Sequence, residues 1–194
     1  MSQSSKSPGF RGDVRELLDA LRAFTPRPEI ECEEIPAPGK LATYGFALTA
    51  ECYDGESEVA NGRFVLLHEP GGQETWSGDL RAVTFIQADI EQEMGSDPLL
   101  PQVGWSWFEE SLSGLDATAL SGTVTLALSS SFGELAERAA QSELEIRASW
   151  TPLARTVSEV IDHLERWTEL LAHCAGLPPI SSGDGVATMV RRNT

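Results

Sequence analysis

Basic residues are scarce in this chain: 14 Lys and Arg stand against 30 Asp and Glu, a net charge of −16 over 194 residues. A field of that sign repels phosphate backbones and anionic bilayers, so neither direct nucleic-acid binding nor membrane binding is expected. Cysteine is sparse too. Cys32, Cys52 and Cys174 are odd in number, far apart and preceded by no secretory leader, and are read as buried thiols. No apolar run approaches the ~20 residues that cross a bilayer. A cytoplasmic protein is expected, long enough to bury a core without disulfide or metal staples.

Residues of catalytic type are equally thin. His163 and His173 lie ten positions apart on one expected helix, so they differ in direction by about 80 degrees and in height by about 15 Å, too far to share an ion. His173 and Cys174 are adjacent and diverge. No G-x-S-x-G elbow surrounds any serine. The stretch His68 to Glu74 has the glycines of a phosphate cradle but no lysine, and it carries two acids; it reads as a connection between strands, with His68 a solvated loop histidine. Glu31, Glu33 and Glu34, with Asp89, Glu91 and Glu93, supply carboxylates that a divalent cation accepts. The reading preferred here is a wet edge that discourages strand pairing between molecules. No catalytic residue, cofactor or metal site is expected.

What the chain does have is periodicity. Val14, Leu17, Leu18 and Leu21 recur at helical spacing between Phe10 and Phe24, and Pro26 and Pro28 end that segment. A short strand follows over Ile30 to Ile35, closed by Pro-Ala-Pro-Gly. From Tyr44 the period becomes two, giving a strand to Cys52, a turn at Asp54-Gly55 and a returning strand from Val59 to His68. A polar, glycine-rich loop then precedes a third strand over Leu80 to Glu91. Val124, Leu126 and Leu128 alternate with polar neighbours, as do Leu144, Ile146, Ala148 and Trp150. A short helical turn or an extended loop is expected over Phe132 to Ser142. Thr156 with Glu159 forms a capping box, and Gly176, Pro178 and Pro179 close a helix whose broad face carries Val160, Leu164, Trp167 and Leu171.

These patterns predict an α+β fold, an antiparallel sheet of five to six strands covered on one face by helices. One such domain is expected over residues 10–180, between a disordered N-terminal tail over 1–9 and a flexible C-terminal tail over 181–194.

The segment from Asp97 to Leu112, DPLLPQVGWSWFEESL, crowds two tryptophans and a phenylalanine behind two prolines. A helix is expected from near Val103, with Trp107 on one stripe and Trp105, Phe108 and Leu112 on another. Both stripes cannot easily face a sheet. Either the helix packs through a wide apolar arc, or Trp105 and Phe108 stay partly exposed beside Glu109 and Glu110 and form a docking patch.

The motifs VLLHEPGGQETWSGDLRAVTFIQADIEQEM, DPLLPQVGWSWFEESL, SGTVTLALSSSFG and ELEIRASWTPL resemble an actinobacterial family known only as domain of unknown function three thousand. The likeness extends over residues 10–192 and takes in RPEIECEEIPAP and HLERWTELLAHCAGLPP. It implies no activity, cofactor or catalytic residue. It does imply an RNA-processing context, which at this charge would run through a protein partner. The function expected is that of an acidic, non-catalytic protein-binding module docking through the aromatic and acidic patch Trp105, Phe108, Glu109 and Glu110; the alternative is a small-ligand binder or enzyme with a pocket between sheet and helices, which a deep pocket lined by Trp76, Trp105 or Trp150 would favour.

Overall fold

The computed structural model describes residues 9–137 and 140–179. All but Gly9 of the tails expected over 1–9 and 181–194 lie outside them. Asp13 opens the first helix: its carboxylate accepts from the backbone N–H groups of Arg15 at 2.7 Å and Glu16 at 3.1 Å, satisfying two of the donors that a helix start leaves free. This helix, Val14–Ala23 (α1), buries Leu17 and Leu21. The strands are Ile30–Ile35 (β1), Tyr44–Asp54 (β2), Ser57–Gln73 (β3), Gly78–Ile90 (β4), Ala117–Ser129 (β5) and Gln141–Pro152 (β6). Helix Leu100–Ser111 (α2) joins β4 to β5, and Val157–Cys174 (α3) follows β6. The strands form one six-stranded sheet in the order β1-β2-β3-β4-β6-β5, with every pairing antiparallel. The expected α+β fold is the one found.

Alternation decides which side chains meet the helices. Cross-strand partners share a face, and the row Leu48, Phe64, Thr84, Ala148 lies on the helix side, as does the row Ala50, Gly62, Ile86, Ile146. All of these side chains are buried, and with Leu80, Leu144 and Trp150 they form the floor of the main core.

The lid is chiefly α3. Thr156 and Glu159 make the reciprocal capping box, which fixes where the helix begins. Packing holds it in place: Val160, Leu164, Leu170 and Leu171 are each no more than 3% exposed, a gross contribution of ~6–12 kcal/mol before chain entropy, against about 1 kcal/mol for a cap. Trp167 lies over Gly62, where an added Cβ would come within 3.0 Å of the ring. Its indole N–H donates to the Thr84 hydroxyl, which in turn donates to the Arg63 carbonyl at 3.1 Å. Phe64 packs between Trp167 and Trp150, at centroid distances of 5.4 and 6.0 Å.

Four expectations change. The glycine-rich loop after His68 is largely strand: β3 continues to Gln73, with a register shift and positive φ at Gly71 and Gly72, and only a 3₁₀ turn at Glu74–Trp76 separates it from β4. His68 therefore keeps the helix-side direction of Phe64 and Leu66, and instead of being solvated it is buried between the rings of Phe10 and Tyr44. Cys32, on the edge strand, is exposed; Cys52 and Cys174 are buried, and burial pushes their thiols up to about 11 and about 12, so both stay protonated at neutral pH. The aromatic helix starts at Leu100, three residues before the expected Val103, because Pro101 fits a first helical turn.

Trp150 completes the core by donating its indole N–H to Nδ1 of His163 at 3.2 Å, which places the imidazole proton on Nε2. Protonating Nδ1 would set N–H against N–H, and burial lowers the His163 pKa from 6.5 to about 4. The folded state thus favours neutral imidazole, while the unfolded chain binds a proton near 6.5. Stability from this site is complete above pH 6.5 and is lost as the pH falls toward 4, by about 3 kcal/mol in all. Urea unfolding at pH 7.5 and pH 4.5 should show this loss in the native chain and a distinctly smaller one in His163→Gln, whose amide never titrates; equal losses would remove His163 as the cause.

Candidate functional site

Helix α2 divides the expected patch. Leu100, Gly104, Phe108 and Leu112, spaced by four, face the sheet. Gly104 allows the approach, since a Cβ there would meet Val124 at 3.2 Å and Leu144 at 3.5 Å. Phe108 is 1% exposed, and its ring lies 5.6 Å from that of Trp150. Trp105 is half-buried over Gly122 of β5, where an added Cβ would come within 2.8 Å of the indole. Only Glu109 and Glu110 are exposed. The four residues are thus not one surface: Phe108 belongs to the core, Trp105 roofs β5, and the two glutamates remain on the outside.

The other face of the sheet has a different character. One row runs across all six strands as Glu33, Thr49, Arg63, Phe85, Arg147 and Thr123, and the next as Ile35, Ala47, Val65, Val83, Ser149 and Ser121. Toward β1 this face is partly roofed, because Ala47, Val65 and Leu67 form a small second core with Ile35, Ala37, Ala42 and Trp76. Over β3, β4 and β6 the described residues leave a shallow groove of about 400 Å³, lined by Arg63, Val65, Val83, Phe85, Arg147 and Ser149. Val83 is 38% exposed.

The guanidinium groups of this face are held differently. Arg81 is engaged through both terminal nitrogens, donating to the Ala119 carbonyl at 2.9 Å, to the Thr151 hydroxyl at 3.1 Å and to the hydroxyls of Ser149 and Ser121. Burial lowers its pKa. Arg147 lies over the Phe85 ring at 5.2 Å and pairs with Glu145 at 2.7 Å, leaving one flank of its fork open. Arg63 is exposed, and no ion pair to it occurs among the described residues. The serine hydroxyls of the groove accept from Arg81, a group that cannot serve as a base. The groove is suited to recognition: an aromatic plane, two aliphatic side chains and two accessible guanidinium groups.

A second cleft, of about 290 Å³, lies between α2 and α3, bordered by Trp107, Glu110, Arg166 and His173. Trp107 meets the His173 ring edge-on at 4.9 Å. Arg27, at its base, is committed to Glu29 at 3.0 Å, Glu169 at 3.6 Å and the Pro178 carbonyl at 3.0 Å, and serves to pin the end of α3 to the start of β1. Neither cleft is lined by Trp76, Trp105 or Trp150, and Trp150 is buried in the core. Among the described residues no group of three or more His, Cys, Asp or Glu side chains could hold a metal ion, and no helix is long and apolar enough to cross a membrane. Glu34 turns to the helix side and pairs with Arg22 at 2.9 Å, whereas Glu31 and Glu33 point to the opposite face, so the acidic cluster of β1 is split by alternation.

Sequence reasoning passed over Arg63, Phe85 and Arg147. Each sits at a wet-face position of a strand, and cationic residues at such positions in an acid-rich chain are a signal; their meeting depends on cross-strand register, which one strand does not carry.

Because Phe108 fills the core and Trp105 only roofs a strand, their truncations should differ. Phe108→Ala should lower stability by about 3–5 kcal/mol and Trp105→Ala by roughly half of that, both with the fold retained. Thermal and urea unfolding measure this; a Phe108→Ala chain as stable as the native one would contradict the core assignment.

Neither the curated proteins nor the solved structures contain a match to the chain. The family model described as "Protein of unknown function (DUF3000)" matches residues 12–186, and the chain belongs to that family.

Proposed function

We propose that this protein is a non-catalytic module that binds another protein, and that the docking surface is the part of the sheet face centred on Phe85 that the described residues leave open. The observation that supports this most directly is the row Arg63, Phe85, Arg147, in which an aromatic ring stands between two accessible guanidinium groups beside Val65 and Val83. Aromatic and arginine side chains around an apolar centre are the residue types that dominate binding energy at protein interfaces. Charge selects the partner. In a chain of −16, this cationic strip is bordered by acid, with Glu31, Glu51 and Glu145 in the next row of the same face. A partner segment carrying a carboxylate next to an aliphatic or aromatic side chain would meet the arginines and the groove, while the surrounding acids would repel misaligned acidic surfaces.

An open sheet with an aromatic residue flanked by arginines is also a geometry on which RNA bases stack. The net charge weighs against it, because binding that gains from counterion release needs many phosphate contacts. The test therefore carries both. A photo-crosslinking amino acid at position 83, and separately at position 109 on α2, should trap a distinct protein species in native lysate only at position 83. Arg63→Glu and Phe85→Ala should each lower that capture about tenfold or more, the exposed Arg63→Glu with an unfolding midpoint close to the native one and the half-buried Phe85→Ala with the native fold by circular dichroism. Capture at position 109 instead, or unchanged capture by both variants, would refute the sheet-face reading; saturable binding of a single-stranded RNA 10-mer at physiological salt, lost in Phe85→Ala, would replace it with an RNA-binding one.

A further inference from the structure

The two edges of the sheet are built in opposite ways. At one edge, β1 is 6 residues long and carries Glu31, Glu33 and Glu34, which repel an incoming strand of this acidic chain. At the other, β5 runs for 13 residues, ATALSGTVTLALS, without a charged residue or a proline. No backbone hydrogen bond from the described residues reaches the outer side of Ser121 to Ser129, so alternate N–H and C=O groups there have no partner among the described residues. Three large apolar side chains are exposed along or just beyond this edge: Leu128 at 61%, Phe132 at 81% and Leu135 at 48%.

We propose that β5 pairs antiparallel with β5 of a second copy of this chain, joining two six-stranded sheets into one of twelve. Several observations select a second copy as the occupant. Two copies of a chain of −16 repel one another, so a contact between them adds least repulsion where it is free of charge, and among the six strands β5 alone has no charged residue. Its pattern is also self-complementary. Antiparallel pairing about a two-fold axis sets residues i and j opposite with a constant sum, so an even sum puts helix-side residues against helix-side residues. Val124, Leu126 and Leu128 of one copy then lie beside Leu128, Leu126 and Val124 of the other, covering the apolar surface that α2 leaves open. On the opposite face Thr125 meets Ala127 and Thr123 meets Ser129, with no like-charge contact. The bulge between Thr118 and Ser121, with Ala119 at φ 51°, ends the straight portion of β5, and within that portion this register pairs Thr123–Ser129. This inference rests on the edge alone and stands or falls apart from the role proposed for the Phe85 face.

Sedimentation equilibrium of the full chain from 1 to 200 µM should give a monomer–dimer equilibrium that shifts to monomer in Thr125→Glu, which brings two carboxylates close to one another across the axis, and in Leu128→Glu, which sets a carboxylate against the apolar Val124 of the other copy. Both positions are exposed, so circular dichroism and the unfolding midpoint should remain near the native values. A second readout does not depend on those variants. In a Cys32→Ser background, which removes the exposed native thiol, a single cysteine at 126, the position this register sets opposite itself, should form an inter-copy disulfide under mild oxidation, while one at 123, roughly 20 Å from its mate in this register, or at position 31 on β1 should not. A chain that stays monomeric at 200 µM, a dimer that both glutamate variants leave intact, or crosslinking through position 31 in place of β5 would each overturn the proposal.

Discussion

The two buried indole N–H groups constrain everything around them. A tryptophan in a core brings a large apolar ring and one donor that must find an acceptor, because an orphaned N–H costs more than a made bond returns. Trp167 meets this need with the Thr84 hydroxyl and Trp150 with the His163 ring. Both partners cross between sheet and helix: Trp167 reaches down from α3 to β4, and Trp150 reaches up from β6 to α3. With Phe64 wedged between the rings, the register of α3 on the sheet has little freedom. Gly62 is part of the same constraint, since a side chain at that position would lift Trp167 off the strand.

Seating α3 in this way settles the fate of the aromatic segment. Phe108 meets Trp150 from the other side, so α2 lies against β5 and β6 next to α3, with Gly104 and Gly122 as the two points of closest approach. The prominence of residues 97–112 in the chain is therefore mostly that of a core helix. Its acids are left outside because the opposite stripe is committed to the sheet. With the helices consumed on one side, the second face of the sheet is roofed by described residues only near β1, and the cationic strip lies beyond that roof.

Charge is distributed in keeping with this division. Glutamates guard the β1 edge and line one end of the open face, while Arg63 of β3 and Arg147 of β6 flank Phe85 of β4 in one row. Arg81 spends its donors on hydroxyls and a carbonyl and braces β4, β5 and β6 from outside, leaving Arg63 and Arg147 as the groups available to an incoming molecule.

Much of the fold was legible along the chain, because hydrophobic alternation at Leu144, Ile146 and Ala148 and the Thr156–Glu159 capping box are local signals with local physical causes. So was the acidic edge, since Glu31 and Glu33 can only be tolerated on a wet strand. His68 was misread because a bulge that lets a strand run past two glycines resembles a loop in sequence. Phe108 and Trp105 could not be sorted, as an apolar helical arc looks the same whether a sheet lies beneath all of it or part of it. Apart from the extension of β3 past His68, the chain alone determined the element types, the inward faces and the surplus of negative charge, each of which follows from near neighbours. Only the tertiary structure decided that Arg63, Phe85 and Arg147 share a row and that β5 lies at an edge, because register and strand order arise from pairings between segments far apart in the chain.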